Sequence, residues 1–99
     1  MAELLTAEDF HPHVDKAFRV RGGRHSLTLA EVQARALSEA ERQAVLRQPF
    51  SLVFRGPPNN VLPEGFYTFE VDDGPSFELY VMPIHTPAQD RQDYQAAFN

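Results

Sequence analysis

The chain has 99 residues and a mass of 11.2 kDa, is 42% hydrophobic and 23% charged, and carries a formal net charge of −5 at pH 7. A chain this short supports one compact core and excludes a second, and the lack of cysteine excludes disulfides, a thiolate nucleophile and thiolate-bound metal. The acidic balance argues against nucleic acid and against an anionic membrane as partners, since both are held by neutralising phosphates with Lys and Arg.

The start of the chain, Met1 to Asp9, is acidic where a signal peptide is basic, and no stretch reaches the roughly 18 consecutive apolar residues of a membrane helix. A cytoplasmic setting is the expectation. Charge is unevenly spread: residues 1–15 hold four acids and no base, residues 16–47 seven bases against three acids, and residues 48–99 two bases against seven acids. Either the blocks neutralise one another within the fold or one of them selects a partner.

Thr6 with Asp9 is a weak capping arrangement, and Pro12 limits the helix it opens to a turn or two. Phe18 and Val20 alternate with Arg19 and Arg21, Gly22 and Gly23 permit a reversal, and Leu27 and Leu29 alternate with Ser26 and Thr28, which predicts a hairpin. The apolar phase slips between Leu29 and Val32, so a bulge or strand end is expected there. Ser38 with Glu41 is a fuller capping box and predicts a short helix from about Glu39 to Leu46.

Phe50, Leu52 and Phe54 share one face of a strand, with Val53 as an exception on the other, and Pro57 and Pro58 end it because proline has no amide to donate. Tyr67, Phe69 and Val71 alternate with polar residues, as do Phe77, Leu79 and Val81, and Asp73-Gly74 sits between the runs: a second hairpin, with Pro83 finishing its second arm. Tyr94, Ala96 and Phe98 mark a last strand. About six strands with two short helices give a mainly β domain, a small antiparallel barrel or sandwich, with Phe18, Phe50, Phe54, Tyr67, Phe69, Phe77 and Phe98 as its expected core.

The run Pro49-Phe50-Ser51-Leu52-Val53-Phe54-Arg55-Gly56-Pro57, the turn Leu62-Pro63-Glu64-Gly65-Phe66-Tyr67, the strand Phe77 to Ile84 and the closing Tyr94-Gln95-Ala96-Ala97-Phe98-Asn99 together resemble a group of small bacterial proteins of about this length, classed as a domain of unknown function. The resemblance is carried mainly by residues 49–99. It brings no catalytic or binding residues with it, and it implies a setting near phage-tail-like or fibre proteins, which favours an assembly role.

Chemistry-bearing residues are few. His11 and His13 flank Pro12 and could share a metal, but a site needs three or four ligands and no ligand pattern surrounds them, so no metal is expected; solvated or helix-capping imidazoles account for the pair. Asp72 and Asp73 are what a turn before Gly74 demands. His85 with Asp90 and Asp93, or with Ser51, lacks any nucleophile motif, and no cofactor loop is present, so neither catalysis nor a cofactor is expected. Arg21-Gly22-Gly23-Arg24 has the letters of an RNA-binding repeat but occurs once, between two strand-like runs.

Two surfaces remain as candidates for contact with another protein or with a second copy. One is the basic hairpin end formed by Arg19, Arg21 and Arg24, with Lys16 nearby. The other is the loop from Arg55 to Pro63, with Asn59 and Asn60 at its tip and Gly56 and Gly65 supplying special backbone geometry. The expected function is therefore a non-enzymatic interaction or assembly module, with a small-ligand binder using the mouth or a cleft of the barrel as the alternative.

Overall fold

The computed structural model describes residues 5–34, 37–44, 49–72 and 74–98. Six strands form a closed antiparallel barrel: β1 Ala17–Val20, β2 Ser26–Ala34, β3 Phe50–Gly56, β4 Gly65–Val71, β5 Ser76–Pro83 and β6 Gln92–Phe98. Around the barrel the order is β1-β2-β3-β6-β5-β4, and β4 closes onto β1. The last strand is thus inserted between β3 and β5, and all neighbours run antiparallel. Of the two expected architectures, barrel and sandwich, the barrel is the one formed. Among the described residues no helix is long and apolar enough to cross a membrane.

Alternation builds the interior. Phe18, Leu27, Leu29, Phe50, Leu52, Phe54, Phe69, Val71, Phe77, Leu79, Val81, Tyr94 and Ala96 are all buried, and no polar or charged residue joins them among the described residues. Rings meet at packing distance: Phe18 and Phe54 at 5.2 Å between centroids, Phe54 and Phe69 stacked at 5.9 Å, Phe50 and Phe98 stacked at 4.5 Å. Burying each such side chain stabilises the fold by about 1.5–3 kcal/mol. The phase slip in β2 is a bulge, as the sequence requires: Leu29 faces Phe54, Glu31 faces Val53, and the intervening Ala30 has no opposite number. After it, Val32 returns to the inward side and packs against the core.

Both ends of the barrel are stopped by side chains. At one end two 3-10 turns, Ala7–Asp9 and His11–His13, lay Phe10 across the opening, fully buried against Phe77 at 4.6 Å, Phe98 at 5.8 Å and Phe50 at 5.9 Å. The expected helix is therefore a pair of tight turns: Pro12, at the start of the second, cannot donate to a preceding α-helical turn. The Thr6 amide donates to Asp9 Oδ2 at 2.8 Å, so the weak capping arrangement is used. Asp15 then takes a positive φ of 71°, a conformation that Asp tolerates better than most residues, and its amide donates to Leu29 O at 2.7 Å, fastening the stopper to β2. The N-terminal stopper was not foreseen beyond its helical turn.

At the other end the β3–β4 connection folds Leu62 inward, where its amide donates to the buried Tyr94 hydroxyl at 2.8 Å. Gly56 owes its identity to space: a Cβ there would meet Leu27 Cδ2 at 2.7 Å and Tyr94 Cε1 at 3.3 Å. The sequence reading assigned Gly56 and Gly65 special backbone geometry; close approach explains the first, and a Cβ on the second would make only ordinary contacts, the nearest at 3.6 Å. Gly22, in the β1–β2 tip, is the glycine with a positive φ, 76°.

Helix α1, Glu39–Ala44, links β2 to β3. Its capping box forms in both directions: the Glu41 amide donates to Ser38 Oγ at 3.3 Å and the Ser38 amide to Glu41 Oε1 at 3.2 Å. The expected continuation to Leu46 lies outside the described residues.

Candidate functional site

The large hydrophobic residues that stand exposed among the described residues, Val61, Phe66 and Tyr80, gather on one hairpin and the loop that leads into it. Phe66 on β4 is 70% exposed and stands directly opposite Tyr80 on β5, 38% exposed. Their rings meet edge to face, 5.0 Å apart and 67° inclined. The Tyr80 hydroxyl donates to a carboxylate oxygen of Glu64, the residue just before β4. That bond, with the negative charge beside it, holds the Tyr80 phenol above its ordinary pKa. Val61, on the loop leading into β4, is also exposed, and the Tyr67 hydroxyl donates to Pro63 O at 2.7 Å, fixing the approach to the strand.

Nothing in the barrel requires these rings to point outward. Phe66 lies in the same register row as Tyr80, between Glu64 and Thr68 on the same side of the chain, where the alternation would place polar residues. Two aromatics exposed side by side form a surface that can stack on rings, accept a cation on its faces and shed ordered water when covered. Glu78, exposed across from Thr68, and Glu64 give this surface an acidic border.

The sequence-predicted interaction residues fall into two groups. Arg19 and Arg21 lie on the outer side of the β1 hairpin and are engaged within the molecule. Arg19 pairs with Asp72 at 2.6 Å, and Arg21 pairs with Glu70 at 3.3 Å and donates to Ser76 Oγ at 3.2 Å. Part of the charge asymmetry is thus cancelled locally. Arg24, exposed in the tip, has no ion pair among the described residues, and neither has Arg55 on β3, whose register neighbours are Thr28 and Asp93. Asn59 and Asn60 are exposed at the tip of the β3–β4 loop. Strand directions put this loop at the same end of the barrel as the β1–β2 tip, so Arg24, Asn59 and Asn60 share an end while Arg19 and Arg55 sit on its sides.

Other residues weighed for chemistry have structural roles. His11 is exposed, whereas His13 is half-buried with its ring edge-on to Phe18 at 6.3 Å and to Phe77 at 5.9 Å, a packing role instead of a solvated or capping one. Arg91 holds Asp93 at 2.9 Å, and Ser51 Oγ accepts from Gln95 Nε2 at 3.4 Å; neither bonds to His85 among the described residues. Asp72 serves the ion pair with Arg19, and Asp73 lies outside the described residues. Among the described residues no three His, Asp or Glu side chains gather as a metal cluster.

Sequence reasoning missed Phe66 and Tyr80, although the signal was present. Each interrupts the polar phase of a strand whose apolar phase is otherwise complete, and the hairpin register sets the two interruptions face to face.

A small closed all-β barrel, filled with its own rings and stopped at both ends, is the class of domain defined by this architecture. The chain belongs to the family described as Domain of unknown function (DUF6916), whose model matches residues 5–98. The likeness therefore reaches the N-terminal stopper and the first hairpin as well as residues 49–98. Neither a curated protein nor a solved structure matches the chain.

Proposed function

We propose that the chain is a non-enzymatic protein-interaction module, serving in an assembly, that docks through the outer face of β4 and β5. The observation that carries this reading is the exposure of Phe66 at 70% in direct contact with Tyr80, on a sheet whose inward side is complete without either. Aromatic residues are costly to leave in water and are enriched where one protein covers another. Hot spots in such contacts are dominated by a few residues of this kind. The expected link to phage-tail-like or fibre assemblies points the same way and is part of the proposal. Ligand binding in the barrel mouth has less support, because Phe10 at one end and Leu62 with Tyr94 at the other occupy the openings.

The test is photocross-linking in the cell of origin, with p-benzoylphenylalanine in place of Phe66 and, as a control, in place of the exposed Gln33 on β2. A discrete cross-linked product from position 66 that disappears on adding Tyr80→Ala is the expected result. Products no stronger from position 66 than from position 33 would refute the docking face.

A further inference from the structure

The acid-bordered rings lie beside a basic tip of the same molecule. β1 neighbours β4 in the barrel, and the Arg21 amide donates to Thr68 O at 2.8 Å, so the β1–β2 tip begins two residues along β4 from Phe66. Within that tip the arginines differ. Arg19 and Arg21 are taken by Asp72 and Glu70, while Arg24 is exposed and makes no ion pair among the described residues. On the neighbouring strand Glu78 is likewise exposed and makes no ion pair among the described residues.

This layout has the property that a two-fold interface demands. Such an interface uses one surface on both copies, so every group on it must find its complement on that same surface. Phe66 and Tyr80 complement themselves, ring against ring. The acids do not, since two copies of the patch alone would bring Glu78 towards Glu78. A free arginine on the adjoining tip removes that conflict for Glu78, because each copy then offers Arg24 to the Glu78 of the other at the rim of the apolar centre, while Glu64 stays bonded to Tyr80.

We infer that the outer face of β4 and β5, with the adjoining β1–β2 tip, forms a two-fold interface between two copies of this chain, rings at the centre and Arg24 of each copy paired with Glu78 of the other. The inference rests on the reading of this face as a docking surface and names its occupant. Three strands about 4.8 Å apart and about 20 Å long offer roughly 300 Å² of flat sheet. Stable interfaces cover about 800 Å² on each partner. The dimer is accordingly weak and depends on concentration.

Sedimentation velocity on the intact chain between about 10 μM and about 1 mM reads this directly. The expected mass rises from one chain towards two, and the rise weakens when NaCl goes from about 0.05 M to about 0.5 M. Phe66→Ala and Arg24→Glu each weaken association by at least about tenfold. Combining Arg24→Glu with Glu78→Arg restores it. A chain that stays monomeric at about 1 mM, or dimers indifferent to Phe66→Ala or to Arg24→Glu, or a charge swap that fails to restore association, overturns the inference. If the chain is monomeric while position 66 still cross-links to a different protein, self-association falls and the docking face stands. If both fail, both readings fall.

Discussion

In the β1–β2 hairpin the outward arginines are answered within the molecule, Arg19 by Asp72 and Arg21 by Glu70, whereas in the β4–β5 hairpin the outward rings meet each other and Tyr80 bonds to Glu64. Both hairpins pair antiparallel and turn apolar residues inward, and although their strands differ in length, the instructive difference lies on their outer sides. Surface charge is readily absorbed by neighbouring strands, and a cluster of bases in a sequence then says little about partners. A solvent-facing aromatic pair gains nothing from the fold that polar residues would not also provide. It is therefore the better guide to what lies outside the molecule.

The comparison breaks most readily at the inward ring of the second hairpin. Phe69→Ala, which empties a fully buried site next to Phe18 and Phe54, is expected to cost about 3–5 kcal/mol in urea unfolding. Tyr94→Phe removes only a hydroxyl but leaves the buried Leu62 amide without its acceptor, an expected loss of about 1–3 kcal/mol by the same measurement. Phe66→Ala, three strand positions before Phe69 and so on the alternate phase, should cost less than about 1 kcal/mol while removing association. A loss comparable to that of Phe69→Ala would show the outward ring to be a structural element after all.

Smaller effects sharpen the contrast from the charged side. Arg19→Ala and Arg21→Ala should each cost about 1 kcal/mol or less, since both pairs are largely solvated, and the difference should shrink in high salt. Least of all in stability, but direct in its reading, is the titration of Tyr80. Ultraviolet absorbance should show one of the tyrosines ionising above the ordinary value of about 10, and Glu64→Gln should bring it back down. A folded-state pKa that is raised marks a contribution complete below the unfolded value and lost as pH climbs through the folded one, so the Tyr80–Glu64 bond supports the fold in the neutral range and is lost as the phenol ionises in alkali.

Much of the barrel could be read from alternation alone, because period-two patterning is a local signal. Phe18 with Leu27, Tyr67 with Leu79 and the slip after Leu29 all fix their neighbours without knowledge of the rest. What could not be read depends on distant meetings. The insertion of β6 between β3 and β5, the position of Phe10 over Phe77 and Phe98, and the bond from Leu62 to Tyr94 join residues that no local pattern relates. Gly56 was noticed for the right position and the wrong cause, since crowding by Leu27 and Tyr94 is invisible until the strands close. The exposed pair was legible in principle: Phe66 and Tyr80 violate the alternation that revealed everything else, and counting aromatics as core composition concealed the violation.

The placement of β6 also governs how the molecule comes into being on the ribosome. Both hairpins involve near neighbours and can zip up within microseconds of becoming available. β3 and β5, in contrast, must wait with bare edges until β6 has been translated, and β6 then joins β5 through the pairs Met82–Gln95 and Pro83–Tyr94. Phe10 cannot settle against Phe98 until that residue, 88 positions further along the chain, arrives beside it. Nascent chains thus pass through an interval of unsatisfied strand edges, in which a chaperone or a slower rate of elongation would have the greatest influence on yield.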